Sequence, residues 1–147
     1  MVSFKKIFSL LLLYLAINTS VFAEKPAFIV PIINYILMDT EHNYIKTFDG
    51  TWEGWGHQNN GLEWTIKIKI DSNNKRYLID YPSLNCGGTL TLISSTQDKV
   101  EFFEKITYGR CYDEGITSLH KTSENKADFY WSKEGTSNTA FGELERN

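Results

Sequence analysis

With two cysteines, three prolines and ten glycines in 147 residues, the chain has neither the low-complexity bias of a disordered segment nor the glycine repeat of collagen. No apolar run approaches the roughly 20 residues that a membrane-spanning helix needs. Positive charge is scarce as well: 15 basic side chains stand against 18 acidic ones. That balance repels a phosphate backbone and argues against nucleic acid as a partner. The histidines are His42, His57 and His120, none spaced to gather metal ligands or set in a nucleophile context. The sequence therefore implies no metal, no cofactor and no recognisable catalytic motif.

What is present begins with a leader-like N-terminus. Lys5 and Lys6 precede the apolar block Ile7 to Ile17, and Val21-Phe22-Ala23 supplies the small residues that a signal peptidase reads. Residues 1–23 are thus expected to be a signal peptide cleaved near Ala23, leaving a mature chain in the periplasm or outside the cell with no membrane span. No cysteine follows the cleavage site, which argues against a lipid anchor there. Without Lys5 and Lys6, 13 basic residues face 18 acidic ones, a net charge of −5.

In an oxidising compartment Cys86 and Cys111 are expected to join. With 24 residues between them, the crosslink restricts the unfolded chain enough to stabilise the fold by about 3 kcal/mol. A redox or nucleophilic role would call for Cys-x-x-Cys spacing or a histidine beside a thiolate, and neither is present.

Residues 24–48 form a lead-in, with an apolar run from Phe28 to Met38 broken by Pro31; it predicts a short helix or an extended segment. From Asp49 the periodicity becomes that of strands. Leu62, Trp64, Ile66, Ile68 and Ile70 alternate with Glu63, Thr65, Lys67 and Lys69, so one face is buried and the other wet. Asp71-Ser72-Asn73-Asn74 has hairpin-turn chemistry, and Tyr77, Ile79 and Tyr81 resume the alternation until Pro82 stops it. Further strands are expected at 51–57, 88–94, 99–107, 115–121, 126–132 and 138–145. Eight strands at intervals of about ten to twelve residues, without helices between them, predict an all-β, antiparallel meander over 49–147. It closes as a small barrel, with a two-layer sandwich as the alternative.

Gly50-Thr51-Trp52 at the first strand, with Arg146 just beyond the last, resembles the Gly-x-Trp and terminal arginine signature of lipocalin-like, or calycin, barrels. The resemblance implies a tryptophan at the closed end covered by the arginine, with the N-terminal segment, here Phe28 to Met38, as a plug. A second resemblance rests on Tyr81-Pro82-Ser83-Leu84-Asn85-Cys86-Gly87-Gly88, followed by Phe102-x-Glu104-x-Ile106 and Gly109-x-Cys111. This is similar to small extracytoplasmic bacterial domains, some of them the outer domains of membrane-bound serine/threonine kinases. It implies a non-catalytic sensor or binding module.

Pro82, Gly87 and Gly88 beside a cystine are sufficient to make a tight corner; the same glycines would also admit a ligand close to the backbone. Trp64 and Trp131 fall on inward registers. Trp55, His57 and Gln58 are expected at the barrel mouth, next to the turn Asn59-Asn60-Gly61. Tyr108, Arg110, Tyr112 and Asp113 surround the second cysteine, where aromatic rings and a guanidinium can bind a carboxylate, a sugar or a protein. Glu101 and Glu104, an odd number of positions apart, cannot share a strand face. The functional expectation is an exported module that binds a small ligand or glycan. The alternative is an inhibitor or immunity factor of an exported hydrolase such as a lysozyme-like enzyme, steered by its acidic surface.

Overall fold

The computed structural model describes residues 44–147. Its strands, in chain order, are β1 (Gly50–Gln58), β2 (Glu63–Asp71), β3 (Arg76–Tyr81), β4 (Cys86–Ser95), β5 (Lys99–Tyr108), β6 (Ile116–Lys121), β7 (Lys126–Ser132) and β8 (Thr139–Arg146). Each pairs antiparallel with the next, and β8 returns to pair with β1. The meander is therefore a closed calycin-like barrel and not a two-layer sandwich. The strand limits expected from periodicity are met to within two residues at every end. The expected signal peptide, the Phe28–Met38 plug and His42 lie outside the described residues.

Alternation along each strand decides what fills the barrel. On β2, Trp64, Ile66, Ile68 and Ile70 are buried while Lys67 and Lys69 are exposed, as a pleat with a period of two requires. On β1, Trp52 points inward, so Gly54 and Gly56 follow on the same face and Trp55 turns outward. One half of the barrel is packed by Trp52, Phe102, Ile68, Ile79, Phe129 and Leu144, each at most 1% exposed.

That packed half ends in a sealed floor. A helical turn at Lys46–Phe48 places Ile45 and Phe48 beneath the strands, both fully buried. Trp52 Nε1 donates to the Phe48 carbonyl at 2.8 Å. The Arg146 guanidinium lies 5.0 Å from the Trp52 ring centroid, and it donates to the carbonyls of Thr47, Asp49 and Glu124. The arginine thus covers the tryptophan while satisfying three carbonyls that have no strand partner. Asp49 completes the seal by accepting from the Ser72 backbone N–H and hydroxyl, both at 2.7 Å. At this end the lead-in is a single helical turn over its final residues.

The opposite end carries the β1–β2, β3–β4, β5–β6 and β7–β8 connections. A helical turn at Pro82–Leu84 ends at Asn85, whose φ of 52° is left-handed, and the Thr65 and Ser83 backbone N–H groups each donate to the other residue's hydroxyl. Cys86 then pairs with Cys111 across a Cα separation of 6.1 Å. Gly88 has no room for a side chain, because a Cβ there would strike the Lys105 carbonyl. The β4–β5 register shifts between Gly87 and Gly88, so the glycines serve a bulge next to a pinned corner.

Two consequences are measurable by urea unfolding. Replacing both cysteines by serine is expected to lower the unfolding free energy by about 3 kcal/mol. Arg146→Ala is expected to cost about 2 kcal/mol through lost hydrogen bonds and ring contact; a loss below 0.5 kcal/mol would show that the floor does not depend on it.

Candidate functional site

At the loop end the barrel is hollow. A cleft of about 690 Å³ opens there, walled by Trp64, Tyr81, Glu104 and Trp131, with Arg110 and Tyr112 at the rim. Two glycines set the aromatic walls. The Trp64 indole lies over Gly56, where a Cβ would come within 3.0 Å of it, and the Trp131 indole lies against Gly115, where a Cβ would overlap the ring. Trp64 and Tyr81 meet edge to face at 6.4 Å, and Tyr112 leans on Trp131 at 6.3 Å. Leu62 and Leu84 are exposed at the opening.

The cleft holds one deeply buried acid. Glu104 is 0% exposed and accepts hydrogen bonds from the Tyr81 hydroxyl at 3.0 Å and the Thr117 hydroxyl at 2.6 Å. No basic group pairs with it among the described residues. Burial in an apolar wall disfavours its charge more than the two hydroxyls favour it, so its pKa is pushed up to about 7. The Tyr81 hydroxyl is itself raised well above its usual value, by burial first and by the neighbouring carboxyl second. Beside them, the Trp64 indole N–H is buried without a partner among the described residues, on a residue only 8% exposed. A donor left so costs about 1–3 kcal/mol unless something accepts from it.

The residues expected at the site divide three ways. Gln58, Arg110 and Tyr112 do line the cleft, and Cys111 forms part of its rim. Tyr108 and Asp113 hold the loop in place. The Tyr108 hydroxyl donates to Asp80 at 2.7 Å. Asp113 accepts from Lys105 at 2.6 Å and from the Ile106 and Glu114 backbone N–H groups, and its pKa is lowered by Lys105 first and those N–H groups second. Trp55 and His57 correct the expectation of a mouth position. They lie on the outer wall, because the inward parity set by Trp52 passes to Gly54, Gly56 and Gln58.

On that wall an outer groove of about 840 Å³ runs across β1, β8 and β7, lined by Trp55, Phe141, Tyr130, Asp128 and Glu143. Trp55 is 56% exposed. His57 stacks on Phe141 at 5.5 Å and bonds Glu63 at 3.0 Å. Asp128 and Glu143 face each other directly across the β7–β8 ladder, and neither makes an ion pair among the described residues.

Glu104, Tyr81, Thr117 and the unpaired Trp64 N–H were not singled out as binding groups from the sequence. The signal was present in Phe102-x-Glu104-x-Ile106, where alternation puts Glu104 on the same face as a core phenylalanine.

No family model matches the sequence, and no curated protein matches it. Among solved structures the chain is similar to EF1p2_mFAP2b bound to DFHBI, with a TM-score of 0.51 at 13% identity over 73% of this chain and 99% of that one. At that identity the likeness concerns the fold alone.

The buried acid makes stability depend on pH. Glu104 holds its proton more tightly folded, near 7, than at its ordinary 4.5, so its contribution is fully present below about pH 4.5 and is lost as pH rises through about 7. The span corresponds to about 3 kcal/mol. Glu104→Gln is expected to flatten the fall in melting temperature over this window and to be more stable than the parent at pH 8. Parallel profiles for the two proteins would show that Glu104 is not buried in this way.

Proposed function

We propose that the protein is an exported, non-catalytic binding module that holds a small ligand in the open end of its barrel. The observation that carries this reading is the asymmetry of the interior, filled and sealed at one end and opening at the other into an aromatic-walled cleft. An eight-stranded barrel can be filled by its own side chains or leave space for one small ligand; here both occur, at opposite ends. The disulfide and the leader-like N-terminus support a place outside the cytoplasm. Among the described residues no helix is long and apolar enough to cross a membrane. The resemblance of Tyr81 to Gly88 to outer domains of membrane-bound kinases supports a recognition role, and Tyr81 and Leu84 of that segment line the cleft.

Mature protein recovered from its native envelope is expected to carry a small molecule at near-stoichiometric amount, detected by mass spectrometry of the released fraction. Ala140 lines the cleft, and Ala140→Phe is expected to fill it, giving a folded protein that carries none. Equal recovery from both proteins, or none from the parent, would overturn this reading.

A second reading, inhibition of an exported hydrolase, is favoured by the outer groove, where exposed aromatic rings flank two unpaired carboxylates. Aromatic residues anchor interfaces and acidic surfaces steer basic partners. If it holds, the protein abolishes one member of a panel of cell-wall hydrolases at about a one-to-one ratio, and Trp55→Ala weakens this at least tenfold. No loss of activity anywhere in the panel removes it.

A further inference from the structure

The cleft contains a carboxyl group that no basic side chain pairs with among the described residues. Glu104 is wholly buried, and its two hydrogen bonds come from the neutral hydroxyls of Tyr81 and Thr117. The groups facing it are few. Trp64 from β2 and Trp131 from β7 present rings, Thr117 from β6 a hydroxyl, and Ala140 from β8 a methyl. The β5–β6 loop contributes Asp113, a like charge that further disfavours ionisation of Glu104. The same loop holds Arg110, exposed at the rim, and Glu63 on β2 is occupied with His57. An ionised carboxylate so placed is costly until a cation joins it. The rings around it add the same preference, because the face of an aromatic ring attracts positive charge. Finally, the Trp64 N–H, more than nine-tenths buried on the wall of this cleft, has no acceptor among the described residues.

We infer that the ligand is a small organic amine, its ammonium group set among the Trp64, Tyr81 and Trp131 rings against the Glu104 carboxylate, with an oxygen that accepts from Trp64 Nε1. This rests on the binding reading above and adds the chemical class of the ligand. A neutral ligand leaves the carboxyl protonated and gains nothing from its charge, and an anionic one is repelled by the ionised fraction. A metal ion is a poorer fit, since Glu104 stands as a single carboxylate and no group of three or more candidate ligands occurs among the described residues. Because the amine requires Glu104 ionised, binding displaces a proton from the carboxyl near neutral pH.

The test uses three isosteres that differ in one group: tyramine, the alcohol 4-(2-hydroxyethyl)phenol, and 3-(4-hydroxyphenyl)propionate, titrated into the mature protein by calorimetry. Tyramine is expected to bind at least tenfold more tightly than the alcohol, and the carboxylate more weakly still. Tyramine affinity should fall by about tenfold per pH unit below pH 7, as the proton competes for Glu104. In Glu104→Gln, with folding checked by circular dichroism, the preference for tyramine should collapse to within about threefold. Trp64→Phe, which keeps the ring and removes only the N–H, should weaken tyramine while its preference over the alcohol persists. Equal affinity for tyramine and the alcohol, tightest binding of the carboxylate, or failure of all three overturns the assignment. In any of these cases a ligand recovered from the parent but not from Ala140→Phe would leave the cleft reading standing by itself.

Discussion

The pairing of β1 with β8 is what gives this protein an inside. Seven consecutive hairpins make only a twisted sheet with two open edges; the eighth ladder, from Trp52 opposite Arg146 to Gln58 opposite Ala140, removes both edges. That ladder depends on very small residues. A Cβ on Gly54 would meet the Glu143 carbonyl, and one on Gly142 would meet the Trp55 carbonyl, so the closing strands approach more closely than any side chain would permit. The same glycines leave inward positions that no side chain fills from β1 or β8.

Closure then separates two environments that the strand pattern alone would treat alike. Near the N-terminal turn, large apolar residues meet across the barrel, and Arg146 stacks over Trp52 while capping stray carbonyls. Toward the loops, the inward positions turn to glycine, alanine, threonine and a carboxyl, with two indoles pressed against the glycines. Glu104 is thereby surrounded by protein with no counter-charge among the described residues, and its raised pKa follows from that burial. The disulfide belongs to this half: it ties the loop bearing Arg110 and Tyr112 to the corner after β3, holding the mouth in one arrangement.

Much of this was legible in residue order. The alternation of Trp64, Ile66, Ile68 and Ile70 located β2 and its buried face, the turn residues located the hairpins, and the placement of Cys86 before one strand and Cys111 after its partner made their pairing geometrically reasonable. The Gly-x-Trp and arginine signature anticipated the contact at the floor. Trp55 and His57 went astray because proximity to a turn suggested a mouth position, whereas the pleat, counted from Trp52, sends both to the outer wall. Glu104 was weighed only as a partner of Glu101, with which it cannot share a strand face, so its burial as a single carboxyl was not anticipated.

Local spacing determined which residues become strands and which face of each is apolar, because these depend on neighbours two residues apart and on turn chemistry between them; the two sulfurs were matched because they are the sequence's one pair of cysteines. Tertiary structure decided which inward residues meet. Whether opposite walls touch or leave a cavity depends on summed side-chain volume across strands distant in sequence, and so does the burial of a single carboxyl away from the basic side chains of the described residues. Those quantities exist only after β8 has closed on β1.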